Sequence, residues 1–351
     1  MVNNQKIKFS ILDLKTASKD KSSKFLFDSL LSSDACILGS IVEESYNLPV
    51  RIIVSYNEND DIVGYLWVYQ TGESRSKLNF YSFRNGLSVF NCEYKDFTQG
   101  LCNFCSVSNI RLNGIYIQSN KCEIISSENI FSDKKNITLP LNKNIDQCWK
   151  DLPKKTRNMV RKGKKSDIKL SNNKSHLFDF YKIYSANMLN KRVVPHSLEF
   201  FEKMMEGFGD KIDLITAIYR NKVIGGIIVQ YGESVASYPF HSSIVSFNYL
   251  APNHLLVWSM IEKCVNRGLT CIDMGEGSVG SGVYSFKKSF GGDVRVVNKI
   301  CLENSKKLNV EKNKRVRKAL SLIYYNLLKY IPVRTRSVIV GRKKRKINLG
   351  I

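Results

Sequence analysis

The residues from Ile272 to Gly292, IDMGEGSVGSGVYSFKKSFGG, hold the densest group of side chains that could do chemistry. A strand ending at Asp273, a glycine-rich loop and a short helix bearing Lys287 would form the floor of a ligand site at the carboxyl end of the strand. The backbone can approach a ligand closely at such a loop, because glycine has no Cβ. The spacing fits neither a dinucleotide-binding G-x-G-x-x-G loop nor a Walker A loop.

Three further side chains of this stretch are candidates for the same site. Asp273, Glu276 and Tyr284 are near enough in sequence to Lys287 to share it. The alternative is that Lys287 is an ordinary surface lysine on a short helix, beside Lys288.

Histidines and cysteines elsewhere give weaker signals. His196 and His241 are candidate general bases, although a lone histidine is more often structural. Cys102 and Cys105 form a CxxC, but the sequence has no second CxxC and none of its four histidines lies nearby, so we predict no metal site. The spacing shows no Ser-His-Asp or Cys-His arrangement.

The second candidate binding element is a strongly basic stretch, Lys150 to Lys169, with nine Lys or Arg residues and two acidic ones. We predict helical structure here, with Asp146 as a cap and Pro153 as an interruption or a second helix start. Such a stretch is usually a solvated helix face. Its position between two predicted lobes favours an anion-binding wall near Arg157 and Arg161.

The elements that must position these residues fall into two similar halves. Apolar segments over 54–68 and 217–229 each predict a β-hairpin, which indicates two copies of one αβ unit, with chance similarity as the alternative. In the second half we predict helices over 177–189, from Ser197, and over 255–265 with Asn253 as cap. Strands are predicted over 235–240 and 270–274, and a loop over 275–282. This alternation predicts an α/β layer with a mixed sheet.

Charge is the most unusual property of the composition. The chain of 351 residues has a formal net charge of +23, which favours anionic partners such as nucleic acid, an anionic membrane or phosphate-bearing substrates. No secretory signal or membrane-spanning segment is recognisable, so we expect a cytoplasmic protein that at most touches the inner face of the membrane.

The C-terminal tail carries more than half of this charge, with fifteen Lys or Arg residues and two acidic ones over 303–351. Apolar residues from Val316 to Ile331 fall on one helical face, Pro332 ends this helix, and a basic cluster follows over 342–346. The pattern over 312–346 is typical of a helix on an anionic membrane surface, and a final helix packed on its own domain is the equal alternative. The apolar face consists of Val316, Leu320, Ile323, Tyr324, Leu327, Leu328 and Ile331.

The stretch 272–292 resembles the second lobe of the FemAB family, whose members contain two acetyltransferase-like (GNAT) units. The similarity covers about residues 140 to 300 well and the first lobe in outline. The shared pattern is Asp-x-Gly, Gly-x-Tyr-x-Phe-Lys and Phe-Gly, here Asp273, Gly275, Gly282, Tyr284, Phe286, Lys287, Phe290 and Gly291. Further similar residues are Trp149, Leu152, Lys155, Arg157, Lys162, Tyr184, Asn187, Met188, Pro195-His196-Ser197, Pro252-Asn253, Leu256 and Trp258.

This resemblance implies an α/β (α+β) fold of tandem GNAT-like units. Each unit would be a mixed, mostly antiparallel sheet flanked by helices, followed by a basic C-terminal helix and tail. We expect an N-terminal lobe over 1–144, a basic inter-lobe helix over 145–170, a C-terminal lobe over 171–302 and the tail over 303–351.

The resemblance also implies a reaction. The chain would be an N-acyltransferase or aminoacyltransferase acting on an amine of an amino sugar, or of a lipid- or nucleotide-linked cell-surface glycan or peptidoglycan precursor. Lys287 would stabilise the oxyanion of the tetrahedral intermediate, with Tyr284 and Asp273 as further catalytic residues. The predicted substrate-binding residues are Phe286, which would shape the tunnel, and Arg157, Arg161, Glu276 and His196.

The donor would be acyl-CoA or an aminoacyl-tRNA. Glu276 stands where family members often carry arginine, and the sequence has no Gln/Arg-x-x-Gly-x-Gly/Ala loop for the pyrophosphate of coenzyme A, so both donors stay open. The expected acceptor is anionic, a diphosphate-linked sugar or lipid carrier. Direct attack by its amine, without a covalent enzyme intermediate, is the simpler mechanism.

Two other function classes compete with this one. A non-catalytic nucleic-acid-binding protein is favoured by the charge and by the 17 tyrosines and 18 phenylalanines available for stacking. The core-like spacing of these aromatics argues against it. The third hypothesis is a membrane-associated scaffold that keeps the transferase fold without activity.

Overall fold

The computed structural model describes residues 7–13, 33–74, 77–118, 134–302, 325 and 327–344. The chain divides into two compact units. Unit 1 comprises residues 1–132, 297–318 and 341–351, and unit 2 comprises residues 133–296 and 319–340. These bounds differ from those expected from the sequence, because the strand before the basic stretch, the basic stretch itself and part of the tail all pack in unit 2.

The described residues of unit 1 form a mixed sheet with two helices. In chain order its elements are β1 (Lys8–Asp13), α1 (Asp34–Tyr46), β2 (Val50–Tyr56), β3 (Ile62–Ser74), β4 (Lys77–Val89), α2 (Tyr94–Val107) and β5 (Ile110–Gln118). The strands lie in numerical order, antiparallel except for the parallel pair β4 and β5. Residues 297–302 pair antiparallel with β5. The predicted hairpin over 54–68 is confirmed as β2 and β3.

The core of unit 1 lies between α2 and the sheet. Phe97 and Leu101 of α2 are buried against Ile53, Leu66 and Phe80 of the strands. The CxxC pair belongs to this helix, and burial raises the pKa of the Cys105 thiol to about 12. Such a thiol suits a small core residue rather than a reactive one.

Unit 2 is a larger mixed sheet with helices on both faces. Its elements are β6 (Lys134–Pro140), α3 (Ile145–Asp151), α4 (Lys154–Lys164), β7 (Lys169–Ser171), α5 (Leu177–Asn190), α6 (Leu198–Gly207), β8 (Ile212–Tyr219), β9 (Lys222–Tyr231), β10 (Val235–Ser243), α7 (Pro252–Asn266), β11 (Cys271–Ser278), α8 (Gly282–Lys288), β12 (Asp293–Leu302) and α9 (Val333–Lys344). The strand order is β6-β11-β10-β9-β8-β7, with residues 293–296 beside β6. Only β10 and β11 are parallel among these described pairs.

The two faces of the unit 2 sheet carry different helices. Phe240 and His241 are successive residues of β10, so their side chains point to opposite faces. Phe240 contacts Phe201 of α6, whereas His241 is hydrogen-bonded to Asn253 of α7. Helices α5 and α6 therefore cover one face, and α7 covers the other together with its neighbour α4.

Local structure confirms several helix starts and corrects two caps. Ser197 caps α6, since its hydroxyl accepts the Phe200 N–H, and Pro153 precedes the second basic helix as predicted. Asn144, rather than Asp146, caps α3, and its side-chain oxygen accepts the Asp146 N–H. Asn253 is not a cap either. The cap position of α7 is Ala251, in the left-handed region at φ 59°, and Pro252 fits the first helical position because it needs no N–H donor there.

The glycine-rich stretch is more regular than predicted. Strand β11 continues through Gly275 and Gly277 to Ser278, so the loop before α8 is only 279–281. The reason is that β11 is paired with β6 along this whole length, with Gly277 opposite Lys135.

Part of the tail packs on unit 2. The backbone N–H of Leu198 donates to Ser337 Oγ at 2.6 Å, and Arg336 and Ser337 are buried. Helix α9 begins after Pro332, where the sequence predicted only the end of a helix. In the described part of the predicted apolar face, Leu328 is buried but Leu327 is exposed. Residues 303–324 and 345–351, including Val316, Leu320, Ile323, Tyr324 and part of the basic cluster, lie outside the described residues.

None of the helices in the described residues is both long and apolar enough to cross a bilayer. None of their histidine, cysteine, aspartate and glutamate side chains forms a group of three or more that could hold a metal ion.

Candidate active site

An opening between two parallel strands is the centre of the candidate site. Strands β10 and β11 are paired only over Val235–Ser237 and Cys271–Asp273. Both have a register irregularity directly after these residues, and β11 then continues beside β6. The carboxyl ends of two neighbouring parallel strands are thus no longer bonded to each other, and ligands of α/β sheets bind at such places.

Helix α8 places Lys287 at this opening. Ser281 caps the helix by accepting the Tyr284 N–H at 3.1 Å. The helix lies so close to β11 that a Cβ on Gly277 would stand 2.9 Å from the Tyr284 Cα, so only glycine fits here. Lys287 Nζ donates to the carbonyl oxygen of Glu276 at 2.9 Å. Gly277 therefore lets the lysine-bearing helix rest on the strand.

Aromatic rings line the opening beside Lys287. The Phe286 ring centroid lies 5.8 Å from that of His241 and 5.1 Å from that of His254. His254 stacks on Phe290 at 5.8 Å, and Phe290 lies 5.4 Å from Phe286. Phe286 is therefore held between β10 and the first turn of α7.

The charge of Lys287 acts on a buried histidine. The pKa of His241 is lowered to about 4, mainly by burial and further by the positive charges of Lys287, His254 and Lys191, against the raising effect of its hydrogen bond to Asn253. His241 Nε2 lies 2.9 Å from Asn253 Oδ1. His241 is thus neutral at pH 7, and as a candidate base it would hold a proton only briefly.

Tyr238 is the functional candidate that sequence reasoning missed. It lies on β10, its ring centroid is 5.6 Å from Lys287 Nζ and 6.1 Å from the His241 ring, and it is buried. Within the described part of the chain, its hydroxyl is one of the buried polar atoms without a hydrogen-bond partner. Burial and the charge of Asp273 raise its pKa, so it stays protonated and can donate. Its only sequence signal is a polar-tipped ring at a buried strand position.

The remaining predicted residues of the 272–292 stretch contact the backbone and the core around the opening. Asp273 Oδ1 accepts the Gly275 N–H at 2.8 Å and so fixes the irregularity of β11. Glu276 contributes its backbone carbonyl to Lys287. Tyr284 is one turn before Lys287 on the same side of α8, and its ring packs on the core.

Three predicted residues have other partners. His196 is buried against Phe200, with ring centroids 4.3 Å apart, on the face covered by α5 and α6, so it lies across the sheet from Phe286. Arg157 Nη1 donates to the carbonyl oxygens of Lys150 and Leu152 at the end of α3. Arg161 is exposed, 5.3 Å from the Trp149 ring centroid. The site is therefore built from the 272–292 stretch, β10 and α7 rather than from the basic helix.

Residues 150–288 match the family model described as an acetyltransferase (GNAT) domain. The chain resembles the crystal structure of FemX, with 12% identity, a TM-score of 0.55, and coverage of 83% of this chain and 94% of FemX.

Two further solved structures share the fold. A tandem GNAT protein from the clavulanic acid biosynthesis pathway is 10% identical, with a TM-score of 0.52 and coverage of 86% and 100%. The C-terminal domain of a putative lysylphosphatidylglycerol synthetase from Agrobacterium fabrum is 9% identical, with a TM-score of 0.51 and coverage of 86% and 94%. Comparison with curated protein sequences gave no match. Residues 150–288 thus match a GNAT acetyltransferase domain, and the chain shares the fold of FemX and of a tandem GNAT protein.

Proposed function

We propose that the protein transfers an acyl or aminoacyl group to an amine of an amino sugar, or of a lipid- or nucleotide-linked cell-surface precursor. The observation that carries the proposal is Lys287, whose ammonium group is held by the Glu276 carbonyl at the opening between β10 and β11. A cation fixed where negative charge develops on a carbonyl oxygen lowers the barrier to acyl transfer.

In this mechanism the acceptor amine attacks the donor carbonyl and forms a tetrahedral oxyanion. Lys287 and the Tyr238 hydroxyl are the two donors that the oxyanion would meet, and Phe286 keeps water away from it. The carbon–nitrogen bond forms, the bond to the leaving group breaks, and the amine proton leaves through solvent or the neutral His241.

The donor we propose first is acyl-CoA, which the GNAT fold suggests. Pro252 has no N–H and Leu255 N donates to the Ala251 carbonyl, so the first turn of α7 leaves the N–H groups of Asn253 and His254 for a phosphate oxygen. Two N–H groups are few for binding a pyrophosphate, so the test also includes aminoacyl-tRNA as the alternative acyl donor.

The test compares Lys287→Met with Lys288→Met in purified protein. Both proteins are incubated with acyl-CoA or charged tRNA and with amino-sugar nucleotides or lipid-linked amines, and amide formation is followed by mass spectrometry. We expect Lys287→Met to lose about 100- to 1,000-fold in kcat/KM, the usual cost of an oxyanion donor. Lys288, exposed on the same helix, is the matched control and should keep its rate. Equal rates for the two variants would remove the proposed role of Lys287.

A non-catalytic nucleic-acid-binding role is not favoured by these findings. The domain match and the fold belong to acyltransferases, and the aromatic side chains of unit 2 pack in its core and around the opening. The same assays would detect this alternative as salt-dependent RNA binding without any transfer.

A further inference from the structure

One edge of the unit 2 sheet exposes an unusual set of side chains. Strands β8, β10 and β11 run in the same direction, so their carboxyl ends meet at this edge. Asn187 Nδ2 donates to the Ser243 carbonyl at 2.9 Å and brings the end of α5 to the same place. We call this the carboxyl edge, formed by residues 191–193, 220–222, 244–250 and 279–283.

Large apolar side chains are exposed at every part of the carboxyl edge except the turn 220–222. They come from the segments after α5 and β10 and from the segment that leads into α8. Such side chains in one region usually mark a binding surface. The exposed fractions are 46% for Val193, 73% for Val245, 59% for Tyr249, 57% for Val279 and 48% for Val283.

The carboxyl edge is also basic. Lys191, Arg192, Arg220 and Lys222 are exposed there, and its four segments contain no aspartate or glutamate. The exposed Asp167, which precedes β7 at the same edge, is the acid next to them in register. The opposite edge of the sheet has the exposed acids Asp210, Glu233 and Asp293 in the equivalent connections, together with Lys211 and Arg267. The four segments of the carboxyl edge are therefore basic, whereas the connections at the opposite edge carry both signs.

We propose that the carboxyl edge docks on an anionic lipid bilayer. Valines and a tyrosine inserted among lysines and arginines suit an interface where acyl chains meet negative headgroups. Nucleic acid would use the cations but would gain little from exposed valines. This surface is distinct from the tail over 312–346, because it belongs to the described strands and loops of unit 2.

Docking at this edge would bring the reactive group to the lipid surface. Residues 279–283 include the first turn of helix α8, and the charge of Lys191 already acts on His241 beside Phe286. The inference that the acceptor amine is lipid-linked rests on the proposed function. The docking itself does not, so the two can be tested separately.

The binding test uses the full chain and vesicles of phosphatidylglycerol or of phosphatidylcholine. We expect sedimentation with the phosphatidylglycerol vesicles only, and at least a ten-fold loss of affinity for Val245→Asp/Tyr249→Asp. Val235→Asp is the matched control, because Val235 is 42% exposed at the amino end of β10 on the opposite edge. Arg220→Gln/Lys222→Gln should weaken binding about five-fold for each charge removed.

A second readout does not depend on the tail. Tryptophan placed at residue 249 by Tyr249→Trp should be quenched by brominated phosphatidylglycerol, whereas Val235→Trp should not. Wild-type binding by Val245→Asp/Tyr249→Asp, or equal quenching at both positions, would overturn the proposal. Inorganic phosphate that displaces the protein without any quenching at position 249 would show a simple anion site instead and would also overturn it. Transfer to a soluble amine by a variant that no longer binds vesicles would leave the proposed function standing.

Discussion

Replacing Gly277 with alanine tests whether the contact between β11 and α8 positions Lys287. The new Cβ would lie 2.9 Å from the Cα, 3.0 Å from the Cβ and 3.1 Å from the backbone nitrogen of Tyr284. Ordinary van der Waals contact begins at 3.4 Å. Because two of the three atoms are backbone, the helix must move rather than a flexible side chain.

The size of the effect follows from these distances. Opening 2.9 Å to 3.4 Å moves α8 by at least 0.5 Å, the difference between the two values. The 2.9 Å hydrogen bond from Lys287 to Glu276 would then reach about 3.4 Å, near the limit for such a bond. A misplacement of about 1 Å can cost about 100-fold in rate, so we expect Gly277→Ala to lose roughly ten-fold in kcat. Overpacking should also cost about 1–3 kcal/mol of stability.

Gly282→Ala is the matched control for this substitution. Gly282 begins the same helix, and a Cβ there would meet nothing within 4 Å. The measurements are the steady-state transfer rate and the thermal unfolding midpoint of both variants. If Gly277→Ala keeps the wild-type rate and midpoint, the tight contact of α8 with β11 does not position the lysine, and this account of the glycine is wrong.

Three other substitutions give separable outcomes. Tyr238→Phe should leave stability unchanged or raise it, because a buried hydroxyl without a partner costs about 1–3 kcal/mol. Its kcat/KM should fall about ten-fold. A loss of stability without a loss of rate would contradict the role of Tyr238 in the site. The pKa of His241 is about 4 in the folded chain and 6.5 for a fully solvated histidine. Its contribution to stability is therefore complete above pH 6.5 and falls by about 3 kcal/mol as the pH drops toward 4, because the unfolded chain takes up the proton first. Denaturant titrations over this range should show a free energy of unfolding that depends less on pH for His241→Gln. Arg157→Gln should lower the free energy of unfolding by about 1–2 kcal/mol, because the end of α3 loses a hydrogen-bond donor, whereas Arg161→Gln should leave it unchanged. Equal free energies for the two variants would return Arg157 to the set of predicted substrate ligands.

Local sequence patterns were sufficient to predict many of the helices and strands of unit 2. The alternation of apolar residues predicted the hairpin of β8 and β9, and the stripe over 177–189 predicted α5, because these elements satisfy their own backbone and bury one face. The cap of α7 was not predictable in this way. Asn253 has the residue type of a cap, but tertiary structure uses its side chain to hold His241.

In the candidate site too, some residues were predictable from nearby sequence and others depended on tertiary contacts. The motif placed Lys287, Phe286 and their glycines together, since they are close in sequence. The basic stretch and the family resemblance suggested Arg157 and His196, whose residue types suit substrate binding but whose side chains contact other groups. Tyr238 had only the weak signal of a polar-tipped ring in a strand, because a tyrosine there is ordinary until its hydroxyl is seen to be buried without a partner.

Residue types and short spacings alone predicted the resemblance to GNAT acyltransferases, the short helix bearing Lys287 and the strong positive charge. Only the tertiary structure decided which strands part to form the opening, which side of the sheet His196 occupies, and where cations and exposed valines meet. These properties depend on strand order and direction, which bring together residues far apart in the chain, such as Lys191, His241 and Lys287.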